Sequence, residues 1–136
     1  MNEYVLRNYD FNLIFEFEIS EDDITNICTV IRVLVESKKF SADAFMNVEV
    51  DDLIKFIKEL NDLYCTLKDT ARINEICRPA YVSFTADKRG HIIAEGCLYD
   101  DPEDSEDFSL RFRSEFDQTF LKPFVEGLLE EIAAYL

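Results

Sequence analysis

Along residues 11–19 the odd positions Phe11, Leu13, Phe15, Phe17 and Ile19 are apolar, and Asn12, Glu16 and Glu18 fall between them. Side chains alternate faces along a strand, so this spacing predicts a half-buried β-strand. Residues 20–23, Ser-Glu-Asp-Asp, read as a polar connection. Residues 27–36 are almost continuously apolar and rich in β-branched types, which predicts a central strand covered on much of both faces. Lys38 and Lys39 turn the chain into residues 40–48, where Phe40, Ala42, Ala44, Met46 and Val48 share one face. Three strands joined by short polar turns predict an antiparallel meander.

The period then changes. Val50, Leu53, Phe56, Ile57, Leu60, Leu63, Tyr64 and Leu67 recur at three- and four-residue steps, the mark of an amphipathic helix. Asp51 and Asp52 fall in its first turn, where the helix dipole favours negative charge. Residues 71–76 and 80–86 read as two weaker strands divided by Arg78-Pro79. Asp87-Lys88-Arg89-Gly90 is a hairpin turn with glycine where a positive φ is needed. Residues 91–99 form the returning strand, and Phe108, Leu110 and Phe112 alternate with polar residues in a last one. From Phe120 to Leu136 a wide apolar stripe predicts a second helix, with Asp117 or Thr119 as N-cap and Pro123 tolerated only in its first turn.

These elements predict an α+β fold: a curved antiparallel sheet of about six to seven strands with two amphipathic helices packed on one face. The helices are expected over the face holding Phe15, Phe17, Val33, Leu98 and Phe112. The opposite face then carries Ile14, Val30, Leu34, Phe45 and Ile93, mixed with Glu16, Glu18, Arg32, Arg111 and Arg113. Such a patch is either covered by sheet curvature and loops or used as a contact surface.

Composition narrows the class. The chain of 136 residues, 48% hydrophobic with 12 Phe and 6 Tyr, suits one globular domain spanning 1–136 rather than disorder. No internal repeat is visible in the sequence. The N-terminus lacks the basic and apolar pattern of a signal peptide, so the cytoplasm is the expected location. Cys28, Cys65, Cys77 and Cys97 form no CxxC pair and read as reduced, small apolar core residues.

Charge changes the picture most. The net charge is −15, and residues 100–107 hold six carboxylates: Asp100, Asp101, Glu103, Asp104, Glu106 and Asp107. That field repels nucleic acid and anionic membranes, and it attracts a basic protein or a divalent cation. The run lacks the glycine and distal glutamate of an EF-hand loop, and it reads as a solvated acidic loop. No close Cys/His pair suggests zinc, and the three glycines form no phosphate-cradling cluster. The single histidine, His91, reads as a surface residue beside a turn, too far along the strand from Cys97 for a nucleophile pair. No catalytic constellation, metal site or cofactor is predicted.

The segments 11–19, Phe40-Ser41-Ala42-Asp43-Ala44 leading into residues 50–56, residues 90–96, and Leu110-Arg111-Phe112 leading to Asp117-Gln118-Thr119-Phe120-Leu121 carry a resemblance. In order and spacing the chain resembles the small acidic bacterial immunity proteins encoded beside polymorphic or contact-dependent toxins, particularly the group paired with WapA-type toxins. The resemblance implies a non-catalytic cytoplasmic protein that neutralises a cognate toxin domain, and it carries over no site residues. The physical reading places the acidic carboxylates as steering and contact groups for a basic toxin, with Tyr99 and Phe108 as apolar anchors. The competing surface is the open sheet face, through which the chain could instead form a homodimer.

Overall fold

Two like runs of strands, each closed by a long helix, make up this protein. The computed structural model describes residues 2–100 and 108–135. The first run is β1 (Asn2–Arg7), β2 (Asn12–Phe17), α1 (Glu21–Asn26), β3 (Cys28–Glu36), β4 (Ser41–Glu49) and α2 (Val50–Thr66). The second is β5 (Thr70–Asn74), β6 (Tyr81–Ala86), β7 (His91–Tyr99), β8 (Ser109–Asp117) and α3 (Gln118–Ile132), ending in a short 3₁₀ turn at Ala133–Tyr135. Each run folds as a four-stranded antiparallel meander, in the orders β1-β2-β3-β4 and β5-β6-β7-β8. The α+β class is as predicted, but the expected single sheet of six to seven strands is two sheets of four.

The reason lies at β4. The chain leaves β4 directly into α2 and returns as β5 beside the helix, so β4 and β5 never pair. The expectation of both helices on one face of a sheet is corrected in the same way. α2 and α3 pack against each other, α2 runs beside β5, and α3 runs beside β1. Each sheet lays its apolar face on this helix pair. Two elements were not foreseen. β1 is a strand whose inward Tyr4 and Leu6 are too few to register as a period. The polar stretch after Ile19 is a helix start, where Ser20 and Asp23 form a reciprocal capping box: Asp23 N–H donates to Ser20 Oγ, and Ser20 N–H donates to Asp23 Oδ2.

Strand parity follows the sequence pattern closely. In β2 the inward residues Leu13, Phe15 and Phe17 are buried, and in β3 Ile31, Val33 and Val35. β3 is an interior strand, but only one of its faces is covered: Val30 on the other face is 48% exposed. Phe40 lies outside the strand it was assigned to and is exposed. Asp117 caps α3, its Oδ1 accepting from Thr119 N–H at 3.0 Å, and Pro123 sits in the second turn rather than the first.

The buried residues of both sheets and both helices form one hydrophobic cluster. At its centre four phenylalanines close a ring of contacts. Phe15 of β2 meets Phe56 of α2 and Phe124 of α3, with centroids 6.3 and 5.5 Å apart. Phe84 of β6 meets the same two rings at 6.0 and 5.9 Å. One ring from each sheet and each helix therefore locks all four layers together, at separations suited to aromatic pairing. Gly96 in β7 has a local role in this packing. A Cβ there would lie 2.5 Å from the Tyr81 carbonyl oxygen and 2.7 Å from the Phe112 ring, so only glycine lets the opposite strand's Phe112 lie flat across β7.

Candidate functional site

The acidic run grows out of the β7–β8 hairpin. The ladder between these strands reaches Tyr99↔Ser109, and one step further Asp100 N–H donates to Phe108 O at 2.9 Å. Tyr99, half-buried, and Phe108, 76% exposed, therefore stand at the two sides of the loop's base. Asp100 is exposed beside them. Asp101, Glu103, Asp104, Glu106 and Asp107 lie outside the described residues. Beside this base runs a shallow groove of about 260 Å³, walled by Ala42 and Asp43 on β4 and by Leu98, Tyr99, Phe108 and Leu110. Three of the eight expected contact residues are thus brought to one groove.

Why β4 lies there is set by its edge. Ser37 N–H donates to Phe40 O at 2.8 Å, which fixes the ladder phase with β3. By the antiparallel alternation, Ser41, Asp43, Phe45 and Asn47 then turn their backbone groups away from β3. The far half of this edge is closed by the loop after β5. Glu75 Oε2 accepts from Asn47 N–H at 3.0 Å, Ile76 N–H donates to Asn47 O at 2.9 Å, and Arg78 Nη2 donates to Phe45 O at 3.2 Å. Arg78 also binds Glu75 through Nε at 2.6 Å and reaches the Asp100 carbonyl through Nη1 at 2.6 Å. One guanidinium thus ties the first sheet, the second sheet and the base of the acidic loop together. Sequence reasoning treated Arg78-Pro79 only as a divider. Glu75 three residues before Arg78 was the available signal, and it points to a partner only once β4 is known to need one.

The outer face of the first sheet exposes Val30 and Phe45, as the strand parity predicted. Between them Arg32 makes a two-pronged contact with Asp43, Nε to Oδ1 at 2.9 Å and Nη2 to Oδ2 at 2.6 Å, and lies 3.5 Å from Glu16. The guanidinium's hydrogen bonds hold the Asp43 carboxyl below its usual range, and the carboxylate raises the Arg32 pKa in turn. The face is laced with charge at its middle instead of being continuously apolar.

A second cluster surrounds His91. Its Nδ1 lies 2.5 Å from Glu115 Oε1 and 3.8 Å from Asp87 Oδ2. Asp87, His91 and Glu115 can each offer one ligand atom within 4.8 Å of the others, the one such group among the described residues. His91 is therefore half-buried among carboxylates rather than a plain surface residue. The backbone N–H groups of His91 and Arg89 hold Asp87 low, and Thr119 N–H does the same for Asp117. The four cysteines are free, as expected. Only Cys97 is buried, while Cys65 and Cys77 are exposed, which corrects their assignment to the core.

No helix of the described residues is long and apolar enough to cross a membrane. The fold and the site define an acidic α+β protein that presents an exposed aromatic side chain beside Asp100 at the end of the β7–β8 ladder. A model of the WapI-like immunity protein family matches residues 4–136, and the chain belongs to that family. No curated protein and no solved structure matches it. Membership associates the chain with toxin neutralisation in general.

Proposed function

We propose that this chain binds a cognate toxin domain in the cytoplasm of the producing cell and neutralises it by covering its active site or its substrate's path. The observation that carries the reading is a net charge of −15 on a member of an immunity family. A toxin acting on nucleic acid needs a basic cleft, and an acidic protein competes for that cleft. Asp100, Asp101, Glu103, Asp104, Glu106 and Asp107 steer the encounter, and Tyr99 and Phe108 supply apolar contact at the base of the loop. The division of labour follows from physical chemistry: exposed charge accelerates association, while buried aromatic area slows dissociation. The inhibitor needs no cofactor and no catalysis for this role. Self-association through the face bearing Val30 and Phe45 is the alternative use of the molecule, and its sign is a salt-resistant dimer mass.

Exchanging the six carboxylates of 100–107 for their amides should slow association with the toxin domain by about 10- to 100-fold at low ionic strength. The difference should shrink as salt approaches the physiological range, where the screening length is about 8 Å. Stopped-flow mixing over a salt series measures this. An association rate unchanged at low salt would remove the acidic run from the mechanism.

A further inference from the structure

At the other edge of the first sheet, β1 pairs with β2 alone among the described residues. Asn8 N–H donates to Phe11 O at 2.9 Å, in register with the β1–β2 ladder, so alternation turns the backbone groups of Asn2, Tyr4 and Leu6 toward β2. The N–H and C=O groups of Glu3, Val5 and Arg7 therefore point outward. α3 runs alongside, and the space between helix and strand forms two adjoining clefts that meet at Val5 and Pro123.

The clefts differ in chemistry. One, of about 690 Å³, is walled by Glu3, Tyr4, Gly127, Glu130 and Glu131, with no lysine or arginine among its described lining residues. The Glu131 carboxylate is partly buried beside the Tyr4 hydroxyl, to which it is hydrogen-bonded. The local field is negative enough that burial and the Glu131 charge, in that order, push the Tyr4 hydroxyl up to about 12. The other cleft, of about 410 Å³, is mainly apolar. It is bounded by Val5, Tyr9 and Phe120, and the 93% exposed Tyr9 stands edge-on to Phe120 at 5.9 Å.

We infer that the groove between β1 and α3 accepts an extended segment of the toxin, added as a fifth strand to the first sheet, with a lysine or arginine seated among Glu3, Glu130 and Glu131 and an apolar side chain against Tyr9 and Phe120. The inference rests on the inhibitor reading above and names a docking surface that reading does not contain. An unpaired strand edge supplies backbone hydrogen bonds in register, and flanking pockets for alternate side chains supply selectivity. Charge complementarity selects the occupant. A cationic side chain meets the carboxylates of Glu3, Glu130 and Glu131, whereas a second copy of this chain would bring another net charge of −15 to the same groove. The acidic run after Tyr99 then acts mainly in steering.

The test is amide hydrogen exchange on the intact chain, alone and mixed with the C-terminal domain encoded by the neighbouring gene, together with affinities of two variants. Complex formation should slow exchange at Glu3, Val5 and Arg7 by about tenfold or more. Val5→Pro removes an outward N–H that the sheet itself does not use, and it should weaken binding by about tenfold or more. Glu131→Gln keeps the shape, removes the charge, and should weaken binding about tenfold while leaving the circular dichroism spectrum unchanged. If Val5→Pro fails to fold, the exchange data and Glu131→Gln still decide. A complex that leaves these amides unprotected, with Glu131→Gln binding as tightly as the parent, would overturn the docking site and leave the inhibitor reading intact. Protection already present in a dimer of the free protein would assign the edge to a second copy and overturn it equally. Absence of any complex with the parent chain would remove the inhibitor reading and this site together.

Discussion

Phe124→Ala is expected to cost about 3–5 kcal/mol of folding stability, the range for truncating a fully buried aromatic in a close-packed core. Phe124 is 1% exposed and touches Phe15 and Phe84, one ring from each sheet. Its loss removes packing against both at once, and neither sheet can collapse into the space without leaving the other. Domains of this size are stable by only about 5–15 kcal/mol, so the variant should be near the limit of folding. Urea unfolding measures the effect as a lowered midpoint at similar slope. Phe40→Ala is the control, because Phe40 is exposed and outside the core, and it should change stability by no more than about 0.5 kcal/mol. A loss below about 1 kcal/mol for Phe124→Ala would contradict the close packing of the four phenylalanine rings.

Arg78→Ala should be the next most damaging change, at about 2–4 kcal/mol. The Glu75 side chain is 6% exposed and keeps its carboxylate among backbone groups of β4 because Arg78 neutralises it at 2.6 Å. Removing the guanidinium leaves a desolvated charge behind, which costs more than the pair itself contributes. It also frees the Phe45 carbonyl on the β4 edge and the Asp100 carbonyl at the root of the acidic loop. A double-mutant cycle with Glu75→Leu separates these effects. The double variant should be less destabilised than Arg78→Ala alone, since no orphaned charge remains. Additive losses would mean that the two side chains act independently, contrary to the geometry.

The contrast between these two predictions marks what the sequence could reveal. Phe15, Phe56 and Phe124 were assignable to core faces by period alone, because a two-residue or 3.6-residue repeat maps directly onto one side of a strand or helix. The start of α2 at Val50 was readable for the same local reasons, and of the two caps the sequence offered for α3, Asp117 and Thr119, the structure uses Asp117. Strand pairing was not. Whether β4 continues into a larger sheet depends on what meets its edge, and that is decided by Glu75 and Arg78 from a distant loop. β1 escaped notice because an edge strand with two buried side chains carries too short a period, and α1 because its signal is a capping box rather than an apolar stripe.

At the candidate site the sequence located charge but not geometry. The carboxylates of 100–107 stand out in any reading, and the strands on either side of them were foreseen. The groove that brings Asp100 beside Ala42 and Asp43 was not, because it arises from the joint between the two sheets. His91 was likewise placed on the right strand but without its neighbours. Glu115 reaches it diagonally across the β7–β8 ladder, a relation fixed by register and not by spacing along the chain.

The central claim is that this chain captures and silences a toxin, and one measurement bears on it most directly. The C-terminal domain encoded by the gene neighbouring this chain's is expressed in cells with and without it, and the purified pair is then titrated by calorimetry at low and moderate salt. The account predicts restored growth and a saturable 1:1 complex whose affinity falls as salt rises. Cells that die equally in both cases, with no heat of binding at low salt, would contradict it.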